Sequence, residues 1–397
     1  MYKILALLIA CCLVLALSAP RGECKSNKKG LVVDGKGVLM KDGKPYRGVG
    51  VNYWDAFYHA LGNPGQTRYQ QGFATLKELG IPYCRFMAGG FWPNDWRLYL
   101  DKPAEYFAIM DAVVKSAEEN GIGLIPSLFW SYAAVPDIVG EPMDQWADPK
   151  SKTQAFMRRY VKEVVTRYAN SPAIWGWEFG NEYNLAADLP NASEHRPKIM
   201  PQLGTPTARG KHDELTHLMI RTACQAFARE VRKYDSSRII TSGNSFPRPS
   251  AWHQRQELSW TADTREQYIT MLLEENPGPI DLCSGHLYPN DEKRFGGTVS
   301  YEELLKISLE ACNKAGKSLF VGAFGASEDL GPDQARQKFT EMLMAIEKVG
   351  IPLAAVWDFS PTREDKSYVI TSTNSRAYQL TAVAEANKRL AAGSKEP

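Results

Sequence analysis

The sequence has no surplus of charge of either sign: 47 Lys plus Arg stand against 45 Asp plus Glu, a formal net charge of +2 over 397 residues. That balance excludes the dense basic face a nucleic-acid binder needs and a polybasic membrane clamp. Cysteine is scarce too. Of seven, Cys11 and Cys12 fall in the apolar leader, and the other five (Cys24, Cys84, Cys224, Cys283, Cys312) are scattered without C-x-x-C spacing. This argues against a zinc site and against a disulfide framework, while an oxidising compartment leaves room for one bridge. Cys84 and Cys283 sit in strand-like segments and read as small buried hydrophobes. The six histidines contain no His-x-His pair, so a metal-dependent hydrolase is set aside and no metal or cofactor is expected. No apolar run reaches the ~20 residues that cross a bilayer. No G-x-G-x-x-G follows the first strand-like run, which removes the main support for an open dinucleotide-binding sheet.

What is present begins with Met1-Tyr2-Lys3, an apolar run Ile4–Leu17, and the small residues Ala16, Ser18 and Ala19. This pattern predicts a secretory signal over residues 1–23 and a protein that is secreted or periplasmic. Pro20 is a poor neighbour for the cleavage site. Lipid attachment through Cys11 or Cys12 is the alternative, disfavoured by the short apolar run before them. Apolar residues at 44% and charged residues at 23% are globular values, and a monomer is expected.

Between Leu31 and Tyr46, Asp34-Gly35 and Asp42-Gly43 are turn dipeptides between short apolar runs, which predicts a small capping hairpin. Eight strand-like runs follow: Gly48–Tyr53, Tyr83–Met87, Gly123–Phe129, Ile174–Gly180, Arg238–Ser242, Asp281–His286, Leu319–Phe324 and Leu353–Asp358. Segments such as Ala104–Glu119, Lys152–Ala169, His212–Tyr234, Tyr301–Ala315 and Asp333–Val349 separate them with helical apolar spacing. Eight strands alternating with helices predict an α/β fold, a (β/α)8 TIM barrel formed as one domain over residues 31–392. The long connections Tyr183–Gly210 and Asn244–Trp260 are expected to wall a cleft at the carboxyl ends of the strands.

Those strand ends carry the candidate chemistry. The fourth run ends Glu178-Phe-Gly-Asn181-Glu182; alternation puts Glu178 and Glu182 on one side, with Glu182 at the rim. A rim carboxylate desolvated among indoles is expected to have a raised pKa, which suits a general acid. Glu178 reads as a buried carboxylate paired with a cation, Arg85 on the second run being a candidate. The sixth run gives His286-Leu-Tyr288, both side chains on one face, and the eighth ends Trp357-Asp358. Ten Trp and 18 Tyr are many, and aromatics serve cores and sugar platforms alike. Trp54, Trp92, Trp96, Trp130 and Trp357 follow or end strand-like runs, and about half are expected to touch ligand. Trp175 and Trp177 are expected between barrel and helices.

An Arg on the second strand, Asn-Glu on the fourth, His-x-Tyr on the sixth and Trp on the eighth together resemble glycoside hydrolase family 5, the cellulases and β-mannanases of the large retaining barrel clan. The resemblance covers the chain from about Leu31 to the final helix. It implies a polysaccharide substrate with β-1,4 linkages and Glu182 as acid/base. It also implies Asn181 on the sugar 2-hydroxyl, Arg85, His286 and Tyr288 around the nucleophile, and Trp357 beneath the sugar. Trp130 and Trp54 are further substrate-binding candidates. The family's nucleophile is a Glu at the end of the seventh strand, in a Glu-Phe-Gly context. Here the segment reads Val321-Gly-Ala323-Phe-Gly325, and Ala323 occupies the nucleophile position. Ser127-Leu-Phe-Trp130 also departs from relatives that place a His at the third strand end. The expectation is a retaining glycosidase scaffold silenced at Ala323; the alternative is a catalytically dead glycan-binding pseudoenzyme of the same fold.

Overall fold

A computed structural model describes residues 30–363 and 367–393. The expected signal segment, Cys11, Cys12 and Cys24 lie outside the described residues. Three short strands come first: β1 (Leu31–Val33), β2 (Leu39–Lys41) and β3 (Lys44–Pro45) form an antiparallel sheet, one strand more than the expected hairpin. Asp34 makes the first turn, its Oδ1 accepting from the backbone N–H groups of Lys36 and Val38, as Asx turns do.

Eight parallel strands then close a barrel: β4 (Gly48–Asn52), β5 (Tyr83–Met87), β6 (Gly123–Phe129), β7 (Gly176–Gly180), β8 (Ile239–Thr241), β9 (Leu282–Leu287), β12 (Ser318–Phe324) and β13 (Leu353–Val356). A two-stranded ribbon, β10 (Lys293–Arg294) and β11 (Gly297–Thr298), lies between β9 and β12. Helices Arg68–Leu79, Pro103–Asn120, Lys152–Arg167, His217–Arg232, Arg265–Glu274, Tyr301–Lys314, Pro332–Val349 and Tyr378–Gly393 follow the eight barrel strands in turn. The (β/α)8 expectation is met. The expected helix His212–Tyr234 begins only at His217, because Thr216 caps it by accepting from Met219 N; Lys211–Asp213 is a separate 3-10 turn.

Two cores result from strand alternation. Outward side chains pack against the helices in one large cluster that includes Trp96, Trp177 and Phe179. Inward side chains at the amino-terminal end form a second, with Tyr83, Ile125, Ile239, Leu282, Phe320 and Leu353, closed from below by Leu31 and Leu39. Trp175 belongs to this second cluster, against Tyr46 and Tyr83, and not between barrel and helices as expected. The chain enters β7 through an isolated bridge at Ile174, so strand alternation does not extend back to Trp175. Trp177 meets the expectation, with its Nε1 donating to Asp235 Oδ2 at 2.9 Å. Cys84, Cys224, Cys283 and Cys312 are buried free thiols. No helix among the described residues is long and apolar enough to cross a membrane.

Candidate active site

The floor of the site is a buried ion pair. Arg85 on β5 and Glu178 on β7 have no exposed side-chain surface, and Arg85 Nε lies 2.8 Å from both carboxylate oxygens. Charges this deep persist only when paired. The remaining guanidinium nitrogens donate to Asn52 Oδ1 at 3.0 Å and Asn181 Oδ1 at 2.9 Å. Because the Asn181 oxygen is committed to Arg85, its Nδ2 is left to donate upward to a ligand.

β7 ends at Gly180, and Glu182 adopts φ +57°, a left-handed conformation that is uncommon for residues with a side chain. The expected strand alternation therefore stops short of Glu182. What holds it is β8 and its exit. Gly180 N donates to Ser242 O at 3.1 Å, and Glu182 N donates to Gly243 O at 2.9 Å. Gly243 has φ +72°, and a Cβ there would stand 1.8 Å from Gly180 O, so only glycine fits. Next along the chain, Asn184 donates to Glu275 Oε2 at 2.6 Å and exchanges hydrogen bonds with the Ser245 backbone, tying the wall after β7 to the wall after β8. Burial pushes the Glu275 carboxyl up to about 8.

The Glu182 side chain is 32% exposed, and Oε1 lies 2.7 Å from His286 Nδ1. Burial would raise this carboxyl. The hydrogen bond to His286, with the positive charge of His286, Arg85 and Arg248, outweighs burial and holds it below its ordinary value. The expected raised pKa is thus overturned. His286 Nε2 is buried and has no hydrogen-bond partner among the described residues.

On β12 the register slips by one residue. Val321 faces Gly285 and Ala323 faces His286, with Gly322 left between them. Such a bulge re-aims side chains at the rim of a sheet. Asn52 Nδ2 donates to Gly322 O at 2.9 Å and pins it. The Ala323 methyl then lines a cleft of about 400 Å3 together with Asn181, Glu182, His286, Tyr288 and Trp357. Asn290 and Tyr368 complete the lining. Sequence reasoning missed both, because Asn290 lies on the 3-10 turn Pro289–Glu292 and Tyr368 in a connection, neither with a motif; Tyr368 is held edge-on to Tyr288 at 6.0 Å between centroids.

A Cellulase (glycosyl hydrolase family 5) profile matches residues 40–363. The chain belongs to glycosyl hydrolase family 5. It is 38% identical over 247 residues to mannan endo-1,4-beta-mannosidase A of Hypocrea jecorina, covering 60% of this chain and 48% of that protein. It is 26% identical over 228 residues to mannan endo-1,4-beta-mannosidase A of Podospora anserina, covering 55% and 51%. The chain thus spans about half the length of these curated relatives. Its fold matches the endo-1,4-beta-mannanase of Rhizomucor miehei with a TM-score of 0.64 at 16% identity, covering 91% of this chain and 99% of that one.

In this family 5 barrel the indoles divide by depth. Trp357 faces the cleft, and Trp130 stacks on it with centroids 6.1 Å apart and planes 23° apart. Trp130 is only 6% exposed and has the Arg85 guanidinium 4.5 Å from its centroid. It stacks behind Trp357, buried, and does not line the cleft. Half-buried Trp54 tilts against Trp130 at 6.5 Å. Trp96 is core, packed against Phe129 and Tyr160, so it leaves the rim group. Trp92 lines a separate pocket with Phe91 and Tyr132.

Three further carboxylates lie near these strand ends. Asp358 accepts from Trp54 Nε1 at 2.9 Å and pairs with Arg363; burial pushes it up to about 6. Glu328 pairs with Arg376 and accepts from Ser375 Oγ. Asp329 accepts from Ser327 and Ser367. None of the three lines the cleft. Among the described residues no group of His, Cys, Asp or Glu could hold a metal ion.

Proposed function

We propose that this chain is a secreted β-1,4-glycan hydrolase scaffold, directed to mannan before glucan, whose double displacement is interrupted at Ala323. The observation that carries the reading is the Ala323 methyl in a cleft lined by a single carboxylate, Glu182. Retaining hydrolysis uses two carboxyl groups about 5–5.5 Å apart, one attacking the anomeric carbon and one protonating the leaving oxygen. A methyl cannot attack. Glu182 fills the acid/base role, His286 orients it, Asn181 Nδ2 reaches a sugar hydroxyl, and Tyr288 and Trp357 flank the ring. Arg85 acts from below through Asn181. The mannan preference rests on the names of the curated relatives, and secretion on the leader at residues 1–23.

The depressed pKa of Glu182 fits the same reading. A second carboxylate nearby disfavours ionisation, so without it Glu182 is ionised near neutrality and is a poor proton donor. Stacking and hydrogen bonds do not depend on a nucleophile, so saccharide binding is retained while turnover is lost.

Ala323→Glu, assayed on mannan and glucan polymers, tests the proposal: activity appears on at least one β-1,4-glycan. Inactivity of the variant on every polymer, with oligosaccharide binding retained, would favour a pseudoenzyme that binds glycans without cleaving them. Azide or formate added to the unaltered chain is expected to restore some cleavage of an activated aryl mannoside by occupying the space beside Ala323.

A further inference from the structure

Glu275 and Asn276 follow the helix Arg265–Glu274 and lie behind the wall of the cleft, outside its lining. Both are buried, Glu275 at 3% exposure. Asn276 is the anchor. Its Oδ1 accepts from Ser242 Oγ at 2.6 Å and from Ser284 N at 3.0 Å, and its Nδ2 donates to Leu272 O at 2.9 Å. These bonds tie the pair to the exit of β8, to β9 and to its own helix. Glu275 then reaches forward. Its backbone oxygen accepts from Asn244 Nδ2 at 2.9 Å, and its Oε2 accepts from Asn184 Nδ2 at 2.6 Å.

The two segments that meet at Glu275 are the two that hold Glu182. Asn244 and Ser245 follow Gly243, whose oxygen accepts from Glu182 N, and Asn184 stands two residues beyond Glu182. Leu185 N donates to Glu182 O at 3.1 Å, which closes a turn through Tyr183 and Asn184. Arg248 Nε donates to Leu185 O at 2.7 Å and holds that turn from the side of β8. Glu182 keeps φ +57° at the start of the turn. A residue with a side chain persists in this region when its surroundings over-determine it. Glu275 supplies a tie from a third element, beyond the segments that leave β7 and β8.

A carboxyl is a costly group to bury, and the chemistry at the cleft does not use this one. Burial, with Asp263 and Asp188 nearby, keeps its proton on into the neutral range against the opposing pull of Asn184 and Arg294. His217 Nδ1 stands 4.0 Å from Oε1, and burial pushes that imidazole down to about 4, so neither is charged at neutral pH. Arg248 lies in the field of both Glu182 and Glu275. What Asn184 takes from Glu275 is therefore an acceptor oxygen and not a charge.

We propose that Glu275 is a positioning residue for Glu182: its carboxyl holds Asn184, and Asn184 with the Ser245 backbone holds the turn that aims Glu182 at His286. The proposal rests on the saccharide reading of the cleft for the role of Glu182 and adds the group that sets its aim. An amide at 275 can replace the carboxyl, because it keeps the acceptor; an alkyl group of the same size cannot.

A 13C NMR titration of the Glu182 carboxyl in the full chain tests this, with the signal assigned by its loss in Glu182→Gln. The unaltered chain is expected to titrate below the ordinary glutamate value. In Glu275→Leu, which keeps the volume, and in Asn184→Ala, the midpoint rises toward that value because the carboxylate leaves His286. Glu275→Gln keeps it low. Affinity for β-1,4-mannotetraose, read by calorimetry, falls about tenfold in the first two variants and holds in the third. A structural role alone would lower Tm and leave the Glu182 titration where it stands. Asn184→Ala carries the test if Glu275→Leu does not fold. An unmoved Glu182 midpoint in either variant once folded, or an equal rise in Glu275→Gln, would overturn the proposal and leave the cleft reading standing. Failure of the unaltered chain to bind manno- or gluco-oligosaccharides would sink the cleft reading, while the Glu182 midpoints still decide the positioning role.

Discussion

Inside the lower half of the barrel stand Tyr83, Ile125, Ile239, Leu282, Phe320 and Leu353; two residues further along the same strands stand Arg85, Ser127, Thr241 and Ser284, with Glu178 beside them, all buried. The backbone is continuous through both levels, so the difference lies wholly in side chains. The lower half is an apolar plug sealed by Leu31 and Leu39 and contributes stability through burial. In the upper half, ion pairs and amides hold one another in place at a cost in desolvation, and the return is a cleft with fixed donors and acceptors. A barrel of this kind separates what keeps it folded from what it binds by a rise of two residues.

The sharpest test of the division is Ala323→Glu at the upper rim. Turnover is expected to rise by a factor of order 10^6, by analogy with loss of a nucleophile elsewhere. The added carboxylate should also lift the Glu182 pKa, which a pH–rate profile reads as a basic limb above the ordinary carboxylate range.

Next in size are two variants with similar stability costs and different binding. Glu178→Gln strands the Arg85 charge and should cost about 3–5 kcal/mol, while Trp175→Ala in the plug should cost about 3–5 kcal/mol through a cavity. Urea unfolding measures both. Oligosaccharide affinity should fall in the first and hold in the second; equal losses would break the comparison.

Titration should likewise belong to the cleft end. Glu275 has a folded pKa of about 8, above the ~4.3 of a free glutamate, so folding takes up a proton between these values. Stability therefore falls as pH rises through that window, by up to about 1.4 kcal/mol per unit, and the loss is complete above the folded pKa. Glu275→Gln should remove this contribution, seen as a smaller drop in Tm between pH 5 and pH 8. The smallest effect is at the boundary itself. Thr241 Oγ1 is buried and has no partner among the described residues. Thr241→Val raises the apolar floor by one level and should be neutral or stabilising by about 1 kcal/mol, as thermal unfolding would register.

Much of this division was legible in the sequence. Tyr83–Met87 and Gly123–Phe129 were predicted to the residue, since each begins just after a helix-ending turn and shows an apolar run. The Arg85–Glu178 pair was foreseeable because both residues sit inside apolar strands, where a lone charge is untenable. Trp175 was misplaced because the strand pattern breaks just before β7, which periodicity alone does not reveal. Glu182 was misjudged because its neighbours His286 and Arg248 arrive from elements over sixty residues away. Local composition showed the indoles that desolvate the carboxylate and hid the cations that oppose them. Trp130 and Trp96 look alike in sequence to Trp357, and only depth in the fold separates them.

The two rim positions have separate mountings. Glu182 hangs from Gly243 at the exit of β8, and residue 323 is set by the Gly322 bulge and its bond to Asn52. Neither support passes through the other. The backbone mounting of Glu182 is therefore independent of the side chain at 323, so a carboxylate placed there would meet a wall already built to hold its partner.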